Sequence, residues 1–173
     1  YTEVDTLSLH DALPISIVFI HGVGLDQKMW APQINYFRDY STITYDLLGH
    51  GKTPFKKEEI KMKDCVDQLL SLTELLGVNK FHLVGFSLGS LIALNFAADF
   101  QKKLNSLTLI ATTYKRTEKQ RQEVIDRVNL AKLNKPISQL ALKRWFTDMY
   151  LKKNPKVYEE FIKILTKNTE DQQ

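Results

Sequence analysis

The stretch Leu83 to Ser90, LVGFSLGS, constrains this 173-residue chain more than any other. Phe81 to Val84 is a short apolar run of strand character, and Ser87 to about Phe100 is rich in Leu and Ala like a buried helix. Only Gly85-Phe86-Ser87-Leu88-Gly89 joins them. A strand that becomes a helix this abruptly needs a tight turn, and the flanking glycines let the two elements pass closely without side-chain clashes. The serine between them is then pressed into a strained backbone position with its hydroxyl pushed outward. A strand followed at once by a helix belongs in a parallel sheet, because parallel neighbours need crossover connections.

The chain before and after repeats the unit. Ile17 to Ile20 is a continuous β-branched run, as in a strand buried on both faces, and HGVGLDQ after it is loop-like. Trp30 to Phe37 can form a short helix with Pro32 in its first turn. Ser41 to Tyr45 is a second strand candidate, closed by the glycine-rich turn DLLGHGKTP. From Glu59 to Leu76 apolar residues recur at helical spacing, with Gly77 placed as a left-handed stop. Leu107 to Ile110 is the fourth strand candidate. After Thr113 the texture changes: Glu118 to Leu133, Ile137 to Tyr150 and Pro155 to Lys167 read as three helices with no strand between them. The expected class is α/β, a parallel sheet core with flanking helices, followed by a helical segment.

Composition narrows the function. The chain is 43% hydrophobic and 25% charged, as in an ordinary globular protein, so disorder is not expected. Its apolar runs of four or five residues fall far short of the roughly 20 that span a bilayer, so no membrane partner is expected. Residues 115–167 hold 14 Lys or Arg against 6 Asp or Glu. These positives are scattered among acids and apolar residues without aromatic interleaving, the pattern of a solvated helical face, so no nucleic-acid partner is expected either. The single cysteine, Cys65, cannot form an internal disulfide, which sets the cytoplasm as the expected location and core packing as the residue's expected role.

The first sixteen residues fit none of this. They meet the apolar run abruptly, and Thr6 to Ser16, TLSLHDALPIS, resembles the translation of a widely used sequencing-adapter oligonucleotide in one reading frame. Residues 1–16 are therefore expected to be an artefactual segment, which removes His10 and Asp11 from the catalytic candidates.

The chemistry rests on two loops. A helix that starts at Ser87 aims its N-terminus at the turn, where it favours a developing negative charge. His21-Gly22-Val23-Gly24 follows the first buried strand, and two backbone amides from different loops are what an oxyanion hole requires, each worth on the order of 3 kcal/mol of barrier. Val23 and Leu88 are the candidate donors. His21, Gly22, Gly85 and Gly89 support them, with His21 expected to brace its loop rather than act as a base.

FIHGVGLDQKMW, YDLLGHGKTP and LVGFSLGSLIAL together resemble the successive signatures of the α/β-hydrolase fold, in the branch of small carboxylesterases and 3-oxoadipate enol-lactonases. The resemblance covers residues 17–113 as the N-terminal part of the core, and 114–173 as a truncated helical lid or cap. It implies Ser87 as nucleophile, the amides of Val23 and Leu88 as the oxyanion hole, and a small ester or lactone as substrate, with no metal or cofactor. It implies the strand order second, first, third, fourth, with both outer strands as open edges. It also leaves open a small-molecule receptor or regulator, a carbon-carbon bond hydrolase and a cofactor-free haloperoxidase. Trp145, Phe146, Met149, Tyr150 and Tyr158 are expected to roof an acyl pocket.

The chain departs from the family at the base. The triad in that family runs Ser, acid, His along the chain, yet no histidine follows His82, and Ala-Thr-Thr-Tyr after the fourth strand offers no carboxylate. Asp148, Glu159 and Glu160 read as solvated positions, His50 as structural and His82 as strand packing. The chain is expected to be a fragment that lacks the triad acid and base, and to be nearly inert alone.

Overall fold

Four apolar runs pair in parallel: β1 (Ser16–Ile20), β2 (Ser41–Thr44), β3 (Phe81–Phe86) and β4 (Leu104–Ile110), in the order β2-β1-β3-β4. That is the expected order. The computed structural model describes residues 15–55, 59–132 and 137–170; the expectation for most of the first sixteen residues lies outside them. The last two of those sixteen positions are described, and they lengthen the strand expected over Ile17 to Ile20. The Ile15 carbonyl accepts a hydrogen bond from the Ser41 N–H at 3.1 Å, and Ser16 pairs with Ser41 and Phe81. Strand pairing is a backbone property, so Ser16 extends the strand although its side chain is not apolar.

The crossovers put helices on both faces. A 3-10 turn (Gln27–Trp30) and α1 (Ala31–Tyr36) connect β1 to β2, α2 (Met62–Leu75) connects β2 to β3, and α3 (Leu88–Phe100) connects β3 to β4. Alternation along β1 divides the core, since successive side chains point to opposite faces. Val18 and Ile20 pack with Leu83, Leu69, Ile92 and Phe96 beneath α2 and α3. Ile17 and Phe19 pack with Trp30, Ile34 and Phe37 beneath α1. Cys65 is free and buried in the first of these clusters, and burial pushes its thiol pKa up.

Helix α2 begins at Met62 rather than Glu59. The Lys61 N–H donates to the Asp64 carboxylate at 2.8 Å, which fixes the start. Gly77 ends the helix at φ +69°, the left-handed position expected of it, and the Val78 N–H returns to the Thr73 carbonyl. Strand β4 starts at Leu104, three residues earlier than the apolar pattern suggests. Its early positions Asn105 and Ser106 are polar and exposed, because an edge strand can pair by backbone while half its surface faces water.

Beyond β4 the chain is helical: α4 (Glu118–Lys132), α5 (Ile137–Trp145), α6 (Asp148–Lys153) and α7 (Pro155–Glu170). The single helix expected over Ile137 to Tyr150 breaks at Thr147. The Thr147 hydroxyl accepts from the Tyr150 N–H, and Asp148 occupies the new first turn, an N-cap that apolar spacing alone conceals. Leu142 and Leu165 are buried with Leu25 from the loop after β1, and Trp145, Phe146, Phe161 and Phe86 pack around them. This cluster seats α5 and α7 over the carboxyl ends of β1 and β3.

Candidate functional site

The sharp turn sits between β3 and α3. Ser87 has φ 54° and ψ −110°, a conformation few side-chain-bearing residues adopt and one that costs on the order of 1–3 kcal/mol. Its surroundings enforce it. The Ser87 N–H donates to the Ile110 carbonyl at the end of β4, 2.9 Å away, and the Ser87 carbonyl accepts from both the N–H and the hydroxyl of Ser90. A methyl on Gly85 would lie 2.7 Å from Ser90 Cα, and one on Gly89 would lie 2.7 Å from the His21 carbonyl oxygen. Both sites are closed by backbone, so neither strand nor helix can retreat. Ala111, directly after β4, also has positive φ (53°), which no residue type in ATTY signals.

The loop after β1 closes on this turn. A methyl on Gly22 would lie 3.2 Å from Ser87 Cβ and 2.9 Å from the Phe86 ring, so Gly22 and Ser87 are in near contact. Val23 is 59% exposed and Leu88 opens α3. Neither the Val23 N–H nor the Leu88 N–H donates to another group among the described residues. The structure thus brings together Gly22, Val23, Gly85, Ser87, Leu88 and Gly89.

His21 is fully buried, and both ring nitrogens are engaged. The Leu47 N–H donates to Nε2 at 3.0 Å, so Nε2 is unprotonated, the proton sits on Nδ1, and Nδ1–H donates to the Gly22 carbonyl at 2.8 Å. Burial lowers its pKa from 6.5 to about 4; the bond to Gly22 and the nearby Asp46 and Asp26 oppose the shift, and His50 adds to it. His50 presents its ring edge-on at 5.3 Å, with Nδ1 bonded to the Leu48 carbonyl. His82 points elsewhere, its Nδ1 2.7 Å from the Ser106 hydroxyl across the strand pair. His10 lies outside the described residues. None of the described histidine rings is hydrogen-bonded to Ser87.

Asp46 ties together the loops after β1 and β2, and the sequence reading missed that role. Its carboxylate accepts from the Gln27 N–H (2.9 Å) and the Lys52 N–H (2.8 Å), so it ties the loop after β1 to the loop after β2. Burial pushes its pKa up, but the bonds from Gln27 and Lys52 outweigh burial and hold it below the ordinary 3.8. Gln68 of α2 fastens the same loop, donating to the Asp46 carbonyl and accepting from the Leu48 N–H. The available signal was a lone acid at a strand end, five residues before a glycine. Gly51 has φ +54°, and a methyl there would strike the Asp46 carboxylate.

The five aromatic and Met residues expected to roof an acyl pocket divide into two groups. Trp145 and Phe146 pack into the cluster that holds Leu25 and Phe86, the latter the residue before Ser87. Met149 and Tyr150 in α6 and Tyr158 in α7 are 66%, 44% and 38% exposed. A groove of about 380 Å³ lies between α5, α6 and α7, and one of about 350 Å³ lies over Asp26, Thr44 and Asp46; neither is lined by Ser87. Among the described residues no three His, Cys, Asp or Glu side chains gather as a metal site, and no helix is long and apolar enough to cross a membrane.

A parallel sheet with a strained serine turn at the carboxyl end of a central strand defines a hydrolase-type α/β architecture. The chain belongs to the α/β-hydrolase fold family, whose pattern matches residues 15–162. It is 30% identical over 153 residues to an (E)-2-((N-methylformamido)methylene)succinate hydrolase of Acinetobacter baylyi, covering 88% of this chain and 57% of that one. It is 27% identical to 3-oxoadipate enol-lactonase 2 of the same organism, covering 84% and 55%. Among solved structures, the enol-lactonase of Burkholderia xenovorans superposes with a TM-score of 0.84 at 22% identity, over 93% of this chain and 62% of that one. An esterase of Thermogutta terrifontis superposes at 0.79 and 24% identity, over 92% and 61%. The chain spans little more than half the length of these curated relatives.

Proposed function

We propose that the chain is the nucleophile-bearing part of a serine hydrolase acting on a small carboxylic ester or lactone. The observation that carries this reading is Ser87 itself, a non-glycine residue held at φ 54° in near contact with Gly22. Ser87 Oγ attacks the substrate carbonyl while a base takes its proton, and the carbonyl electrons move onto oxygen. The Val23 and Leu88 N–H groups, uncommitted among the described residues, donate to that oxyanion. Collapse expels the alcohol, or opens the lactone with its oxygen still tethered, and the leaving oxygen takes the proton. Water then attacks the acyl-serine and regenerates Ser87. This chemistry requires no metal or cofactor.

The acid and the base are proposed to lie on chain beyond these 173 residues. His21 has no nitrogen to spare and no described histidine is hydrogen-bonded to Ser87, while the chain covers only 57% and 55% of these relatives. Helices α4–α7 form the lid in this reading, with Trp145, Phe146 and Phe86 as the apolar wall of the acyl site. Hydrolase and enol-lactonase relatives favour a small anionic or apolar acyl substrate over a polymer.

The test is to read the source gene outward in both directions and assay the extended protein on p-nitrophenyl butyrate. A downstream Asp and His at the ends of further strands, with turnover abolished by Ser87→Ala, is the expected result. Turnover unchanged in Ser87→Ala would overturn the reading.

A further inference from the structure

Two arginines of the helical half stand together without an acid. Helices α4 and α5 touch each other and are separated in the chain by four residues. Arg127 lies five residues before the end of α4 and Arg144 seven residues after the start of α5, so they stand about 7 and about 10 Å along their helices from that short connection. The Arg144 guanidinium feels its neighbour: partial burial first, and the Arg127 charge second, hold its pKa below the ordinary value. Both side chains are nevertheless exposed enough for a solute to reach.

Among the described residues neither guanidinium makes an ion pair or a side-chain hydrogen bond. Asp126 accepts from Gln122 at 2.9 Å, and Glu123, one turn before Arg127, makes no ion pair with it. Lys143, next to Arg144, differs: it shares the groove between α5, α6 and α7 with Asp148 and Glu159. Two like charges held together cost free energy, and an anion between them turns repulsion into attraction. The guanidinium fork matches a carboxylate in shape as well as in charge. Both helices are also tied to the serine turn. Trp145, which follows Arg144, packs in the cluster with Phe86, and α4 follows β4, whose Ile110 carbonyl takes the Ser87 N–H at 2.9 Å.

We propose that Arg127 and Arg144 form a carboxylate clamp in the helical half, which selects an ester or lactone whose acyl chain ends in a carboxylate, that is, a derivative of a dicarboxylic acid. The reaction at the other end of that substrate rests on the function proposed above, but the binding of the anion does not. The terminal carboxylate bridges the two guanidiniums and leaves the reacting carbonyl to Ser87. An acyl chain that ends in a methyl group leaves both cations uncompensated, so the clamp decides between the anionic and the apolar acyl group.

The test compares p-nitrophenyl hemisuccinate with p-nitrophenyl butyrate on the extended protein from the source gene, since the two acyl chains match in length and end in carboxylate or in methyl. The wild type favours the hemisuccinate in kcat/KM, and Arg127→Gln and Arg144→Gln each cut that preference by about tenfold or more, chiefly through KM. Arg144→Lys, which keeps the charge and loses the fork, cuts it less. Lys119→Gln, which removes another exposed cation from α4, leaves the preference in place. No preference in the wild type, its survival in both glutamine variants, or an equal loss in Lys119→Gln would overturn the clamp. Succinate titrated into the extended Ser87→Ala protein and followed by calorimetry gives a second readout. Saturable binding that weakens in the Ser87→Ala, Arg144→Gln double variant is expected; no binding, or inorganic phosphate bound as tightly as succinate, overturns the proposal. Turnover that survives Ser87→Ala sinks the serine mechanism while the succinate titration still decides the clamp, so the two failures are separately visible.

Discussion

The sheet half of the molecule, residues 15–113, and the helical half, residues 118–170, are held by different means. In the first, loops are tied by named bonds between distant residues: Leu47 to His21, Gln27 and Lys52 to Asp46, Gln68 to Asp46, Ser87 to Ile110. In the second, the described side-chain bonds join residues within one helix or its cap, such as Gln122 to Asp126 and Tyr150 to Thr147, and one apolar cluster does the rest. Directional bonds fix geometry to fractions of an ångström, whereas apolar contacts fix proximity. The half that carries Ser87 is held by directional bonds, and the half packed on it is held by apolar contact.

Substitutions can break this contrast. Phe96→Ala has the largest expected effect: Phe96 is fully buried between Phe81 and Phe100, and its loss costs about 4 kcal/mol. Chemical denaturation followed by circular dichroism should show the whole sheet half weakened. Leu142→Ala removes the buried centre of the helical cluster and costs about 3 kcal/mol. Here hydrogen exchange should speed up in α5 and α7 while β1 and β3 amides keep their protection; equal loss in both halves would show a single cooperative unit.

Acid sharpens the contrast from the other side, because His21 and Asp46 both belong to the sheet half. Between pH 6.5 and about 4 the unfolded chain carries a proton on His21 that the folded chain excludes. Stability from that group is therefore full above pH 6.5 and falls on acidification by on the order of 3 kcal/mol. Asp46, with its depressed pKa, adds a further loss as the pH falls below 3.8. Melting temperature measured against pH should decline on the acid side, and His21→Asn should flatten the limb above pH 4. The smallest expected effect is Lys63→Ala. Lys63 pairs with Asp67 at 2.7 Å on the solvent side of α2, a contact too exposed to move the denaturation midpoint measurably.

The two halves also differed in how far the sequence disclosed them. Strand β1 was legible because burial on both faces leaves an unbroken apolar run, β3 because Phe81, Leu83 and Val84 stand out around His82, and Gly85 and Gly89 marked the turn at Ser87 because only glycine fits against the Ser90 and His21 backbones. The edge strand β4 was read short, since Asn105 and Ser106 carry no apolar signal. The helices after Thr113 were legible as helices, yet the break at Thr147 was not: Trp145, Phe146, Met149 and Tyr150 keep helical spacing across it. Asp46 was missed for a different reason. Its partners are backbone amides of Gln27 and Lys52, and a residue type leaves no trace of where its amide will point. The same holds for the second bond of His21, which depends on Leu47, 26 residues away.

The central claim is that Ser87 is the reactive atom's carrier, and covalent labelling addresses it most directly. The extended protein from the source gene, treated with a fluorophosphonate and measured by intact mass and peptide mapping, should carry one adduct on Ser87 and none after Ser87→Ala. An adduct on any other residue, or labelling that survives Ser87→Ala, would contradict it.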